Sequence, residues 1–184
     1  GTSLAELFLH RSTLADRTGA SRMTPLPGAL SIAQRVAEAL AAAHSRGSCH
    51  LRLSSDKVFL DTVSEGGELR VFVLELGLLA ALAAGAAPPA IQSSAHKTYL
   101  APEQKGSAAQ PAVLGDARSD VYALGVLLVQ LLTGQLPDRP EWSAAVAQLQ
   151  GSTTPAGISA LVSSMLAEEP AQRPSMLQVE AVLR

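Results

Sequence analysis

Aromatic residues make up only 3% of this 184-residue chain, and Cys49 is its one cysteine. A single cysteine excludes an internal disulfide framework and, read from sequence, any site built on paired cysteines. It fits a reducing, cytoplasmic setting. The poverty of aromatics, beside a hydrophobic content of 47% that is rich in Ala and Leu, favours closely packed helices over a large sheet. Long apolar runs are missing as well. The longest, Val121 to Leu132, is broken by Gln130 and falls well short of the roughly 20 residues that span a bilayer. It reads as a buried core helix, so no membrane insertion is expected from this segment. Charge of one sign is not concentrated anywhere: 14 basic and 16 acidic residues leave a net charge of −2. That excludes the electrostatic footprint of a nucleic-acid binder. The chain also lacks a signal peptide and an initiator Met, which suggests a segment of a longer protein.

What is present is a series of helix signals around one pair of strands. "SLAE" places Ser3 as an N-cap with Glu6 three residues on, a capping box that opens a short first helix. The text from His10 to Gly28 is polar and holds Gly19, Pro25 and Pro27, which predicts a loop. A second helix is predicted from about Ala29 to Ser45, with Ile32, Val36, Leu40 and Ala43 on one face and Gly47 just past its end. "KVFL" and "LRVFVLEL", separated by the turn-rich "DTVSEGGE", predict a small hairpin. Residues Leu78 to Ala95 show no clear period. "SDVYALGVLLVQLLTG" predicts a central helix, apolar nearly all round, capped by Ser119 or Asp120 and stopped at Gly134. Weaker helical patterns follow at Trp142 to Leu149, Ile158 to Leu166 and Ser175 to Leu183, the last opened by a Ser175/Gln178 capping box. The expected fold is mainly α, a helical bundle around a buried central helix with one small β-hairpin.

The order of these elements and their texts resemble the C-terminal lobe of a protein kinase of the bacterial Ser/Thr type, over nearly all of residues 1–184. "YLAPEQ" is similar to the family's Ala-Pro-Glu motif, here Ala101, Pro102 and Glu103. "DARSDVYALGVLLVQLLTG" resembles the central helix with its buried aspartate, Asp120. "EEPAQRP" resembles the late segment whose arginine, Arg173, pairs with Glu103 in the family. "CHLRLSSDKVFL" falls where the family has its His-Arg-Asp catalytic loop, and "VFVLELG" where it has Asp-Phe-Gly. By the same resemblance, His50, Gly77, Glu103, Asp120 and Arg173 are scaffold positions.

The catalytic positions depart from the family's pattern. In an active kinase the loop aspartate accepts the substrate hydroxyl proton, while an asparagine and the Asp-Phe-Gly aspartate hold Mg²⁺. Here Leu51 and Arg52 stand at the arginine and aspartate positions, Ser54 at the lysine position, Lys57 at the asparagine position and Glu75 at the aspartate position. A guanidinium cannot act as a general base. An ammonium about 4 Å from a divalent ion, at an effective dielectric near 20, repels it by roughly 8 kcal/mol. Glu75 is long enough to ligate a metal or to pair with Lys57 or Arg52. No glycine-rich phosphate loop and no Val-Ala-Ile-Lys strand occur. These departures imply a catalytically inactive, pseudokinase-type lobe without cofactor that binds a protein partner in signalling. ATP and Mg²⁺ enter only if an upstream lobe rescues the site. The alternative is the C-lobe of a Ser/Thr kinase with residual nucleotide binding or atypical phosphotransfer. Asp56 is expected in solvent, and Leu51 removes the arginine that in the family grips a phosphorylated activation segment, leaving Ser93, Ser94 or Thr98 without that receiver.

Overall fold

The computed structural model describes residues 1–62, 69–78, 94–106, 111–136, 144, 146, 147, 149 and 154–184. Strand β1 (Thr2–Ser3) leads into helix α1 (Leu4–Thr18) and then α2 (Leu26–His44). A 3₁₀ turn (Ser55–Lys57) feeds strand β2 (Val58–Thr62), which pairs with β3 (Leu69–Val73). Helices α3 (Ser94–Tyr99), α4 (Pro102–Lys105), α5 (Ala117–Thr133), α6 (Ala156–Met165) and α7 (Met176–Leu183) follow. The mainly helical fold around one small hairpin is as expected.

Helix α5 is the axis. All residues from Ser119 to Leu132 are buried, and α2, α6 and α7 pack on it. On α2 the buried positions Ala29, Ile32, Ala33, Val36, Ala37 and Leu40 recur at helical spacing. Several are alanines, which let two helix backbones come close. Gly125 serves the same end opposite α6, since a Cβ there would lie 3.0 Å from Met165 Cβ.

Four details differ from the sequence reading. Helix α1 continues through the stretch expected to be a loop, to Thr18, and ends at Gly19 in the left-handed region (φ 71°). Its polar residues face solvent and do not oppose a helix; only the glycine stops it. Helix α2 starts three residues early because Pro25 stands at its N-cap and Pro27 in its first turn, where no intrahelical N–H is needed. The N-cap of α5 is Asp116, whose carboxylate accepts from Arg118 N, with Ser119 completing a capping box; Asp120 is thereby freed for another task. The hairpin gains β1 as a third antiparallel strand, with Ser3 opposite Phe59. Two residues are too short a strand to leave a period in the sequence. Trp142 and most of the segment from Leu78 to Ala95 lie outside the described residues.

Candidate active site

The loop after α2 is held from beneath by α5. Asp120, 0% exposed, accepts from His50 N at 2.8 Å and Leu51 N at 2.6 Å, and its Oδ2 lies 2.8 Å from His44 Nε2. A carboxylate with this many donors fixes the loop's path through charge-assisted bonds. Gln104 adds a second clamp, donating from Nε2 to Leu51 O at 2.8 Å and to Leu114 O at 3.0 Å. Leu51 sits at φ 65° and Glu75 at φ 60°, a conformation that L-residues seldom adopt. Such strain persists only where the surroundings enforce it, and it gathers at functional loops. The backbone of the site is therefore kept in a defined form although its side chains have changed.

His50 is buried, and neither ring nitrogen has a hydrogen-bond partner. Burial lowers its pKa, with the Asp120 charge opposing, so the ring packs as a neutral group. Leu51 is buried, an apolar plug in place of a charged hand. Arg52, Ser54, Lys57 and Glu75 come together on one cavity of about 200 Å³, which Tyr99 and Leu100 also line. Lys57 Nζ lies 2.7 Å from Glu75 Oε1 and 3.2 Å from Asp56 Oδ2. The Glu75 hydrogen bond is the main cause of the raised Lys57 pKa. The pairing of Lys57 with Glu75 is thus the one realised of the two considered above. Asp56, expected in solvent, keeps 34% of its side-chain exposure and accepts from Ser54 Oγ at 2.5 Å. Gly77, at φ 78°, is required where a Cβ would meet Ser48 Oγ at 2.7 Å.

The scaffold pair forms as anticipated. Arg173 Nη1 and Nη2 donate to the two Glu103 carboxylate oxygens, each at 2.8 Å. The guanidinium, 2% exposed, also donates to Ala167 O, Arg118 O and Glu168 O and stacks over Tyr122 at 5.1 Å. Burial pushes the Glu103 pKa up, but hydrogen bonds from Arg173 and Ser119 outweigh it and leave it lowered. Sequence reasoning missed His44 and Gln104, whose partners lie 76 and 53 residues away along the chain; no local pattern announces such contacts. Tyr99, which bonds Gln130 on α5, carries one faint signal, the polar break that Gln130 makes in an apolar run.

A family model of the protein kinase domain matches residues 4–182. Among curated proteins, the serine/threonine-protein kinase Pkn1 of Myxococcus xanthus is 38% identical over 153 residues, which cover 78% of this chain and 21% of that protein. The serine/threonine-protein kinase PknL of Mycobacterium tuberculosis is 30% identical over 139 residues (74% of this chain, 29% of that protein). PknJ of the same organism is 29% identical over 180 residues (93% and 29%). The chain therefore spans less than a third of each of these relatives. Two expectations are overturned by this match. Absence of enzyme activity does not accord with a kinase-domain match and relatives named as kinases. Absence of a cofactor fails with it, because protein kinases use ATP with Mg²⁺. Both expectations rest on the five exchanged side chains at positions 51, 52, 54, 57 and 75 and give too little weight to the frame that carries them. The Lys57–Glu75 pair as it stands, an ammonium on the carboxylate, does not itself fit a divalent ion. No helix among the described residues is long and apolar enough to cross a membrane.

Proposed function

Because the chain belongs to the protein kinase domain family, we propose that residues 1–184 form the C-terminal, substrate-side lobe of a Ser/Thr protein kinase domain that binds ATP and transfers phosphate to a protein by an atypical route. The observation that carries this reading is the kinase-domain match over residues 4–182, on a loop whose backbone the Asp120 clamp holds in place. Phosphoryl transfer asks for positioning and charge stabilisation more than for covalent chemistry. Arg52 brings positive charge to the cavity wall, and so does the Lys57 ammonium once it turns from Glu75 and Asp56 toward a phosphate; cations there stabilise a transferring phosphoryl group. Without a carboxylate at position 52, the hydroxyl proton leaves without a dedicated acceptor, which slows transfer by about 10²–10⁴-fold. A signalling role, a protein partner as acceptor and a cytoplasmic location belong to the same proposal.

ATP titration of the full-length protein tests the charge roles. Arg52→Ala and Lys57→Ala are each expected to weaken ATP about tenfold, the loss of one charged hydrogen bond. Unchanged affinity in both would remove the cations from the proposed site. A regulatory, protein-binding role for the same lobe is a second reading, favoured by buried Leu51, which leaves no guanidinium to read a phosphorylated activation segment. Partner binding by the wild type that persists in Arg52→Ala, with transfer lost, supports it.

A further inference from the structure

Beside the cavity, the Asp120 clamp with His44 lies next to a thiol that the reading above does not use. His44 ends α2, Cys49 lies in the loop, and Asp120 stands on α5. Their ligand atoms all lie within 4.8 Å of one another. We propose that these three residues form a site for a zinc-class divalent ion, reaching from the end of α2 across the loop to the central helix.

The chemistry of the donors selects the ion. One imidazole nitrogen, one sulfur and one carboxylate oxygen suit Zn²⁺ or Co²⁺, whereas Mg²⁺ and Ca²⁺ take oxygen shells. Three protein ligands with an open fourth position are the usual form of an accessible zinc site. The burial pattern fits that form: Asp120 is fully buried, His44 is 13% exposed at its side chain, and Cys49 is half-buried. The open position therefore lies on the Cys49 side, toward water. Zinc bond lengths of about 2.0–2.3 Å put tetrahedral ligand atoms roughly 3.5 Å apart. The His44 Nε2–Asp120 Oδ2 distance of 2.8 Å has only to open slightly, and the cysteine to close. On binding, the Cys49 S–H bond breaks, the S–metal bond forms and that proton passes to solvent, while the neutral His44 ring releases its Nε2 proton and takes one up at Nδ1, so that Nε2 is free to ligate. Composition hid this site, because a lone cysteine gives no ligand spacing. The fold supplies the other two ligands from positions 44 and 120.

Cobalt(II) is the probe, titrated into the full-length protein. The wild type should develop a sulfur-to-cobalt charge-transfer band in the near ultraviolet. Cys49→Ser should lose that band, and His44→Gln should weaken Co²⁺ binding by at least about tenfold. Both variants leave Asp120 intact, and circular dichroism identifies any that fails to fold. Zn²⁺ should raise the melting temperature of the wild type and not that of Cys49→Ser. No charge-transfer band in the wild type, or a band that persists in folded Cys49→Ser, overturns the proposal. A band lost in Cys49→Ser with binding unchanged in folded His44→Gln overturns it as well.

Discussion

The Lys57 ammonium bridges two carboxylates, Glu75 at 2.7 Å and Asp56 at 3.2 Å, on the rim of a cavity that Arg52 also lines. Lys57 is 23% exposed and Glu75 45%, so solvent screens the pair and its contribution to stability is small. Lys57→Ala is expected to shift unfolding free energy by less than about 1 kcal/mol in urea titration, even as it weakens ATP. A loss several times larger would make the pair a structural fixture.

Asp120 is the opposite case. Its removal leaves His50 N and Leu51 N without their acceptor, at about 1–3 kcal/mol for each buried amide. Asp120→Ala should therefore cost more than Lys57→Ala by a wide margin and loosen the loop. Amide hydrogen exchange at residues 50 and 51 reads the second effect directly: protection should fall there before it falls in α5. Unchanged protection would contradict the clamp.

The contrast between these two residues marks what the sequence makes legible. Asp120, Glu103 and Arg173 were placed by motif order, and the structure pairs Glu103 with Arg173 and turns Asp120 onto the loop. Helix α5 was legible because an apolar run that interrupts itself only at Gln130 has one low-energy destination, the core. The His44–Asp120 contact was not legible, since it joins residues 76 positions apart through no shared pattern. The end of α1 was misjudged for a local reason: polar residues on a solvent face look like a loop until Gly19 supplies the stop. The chemistry was misjudged for another. Side-chain identity at Arg52, Lys57 and Glu75 is visible in text, whereas the backbone form at Leu51 and Glu75 is visible only in three dimensions.

The Glu103–Arg173 pair gives a pH dependence of defined sign. The Glu103 pKa is lowered below 4.5 in the folded protein, so its stabilisation is fully present above the unfolded value and is lost as pH falls through the folded value. Glu103→Gln should flatten the fall in stability below about pH 4.5 while lowering stability at neutral pH. Parallel curves for the two proteins in acid would show that the pair does not titrate with folding. Arg173→Ala leaves the half-buried Glu103 carboxylate with the Ser119 hydrogen bond alone and should cost about 1–3 kcal/mol, measured by urea unfolding at pH 7.

Gly125 tests the packing of the axis. A methyl group there meets Met165 Cβ at 3.0 Å and Leu166 at 3.2 Å, and overpacking of this kind costs about 1–3 kcal/mol. Gly125→Ala should lower the melting temperature, and Gly157→Ala, where a Cβ meets nothing within 4 Å, should not. Equal effects at both sites would show that α5 and α6 do not approach as closely as described.

Transfer of the terminal phosphate of radiolabelled ATP to protein, measured with the full-length protein and its Arg52→Ala variant, bears most directly on the whole account. Slow incorporation by the wild type, abolished or greatly reduced in the variant while its fold is intact, is the predicted result. No incorporation by the wild type, or equal incorporation by the two, would contradict it.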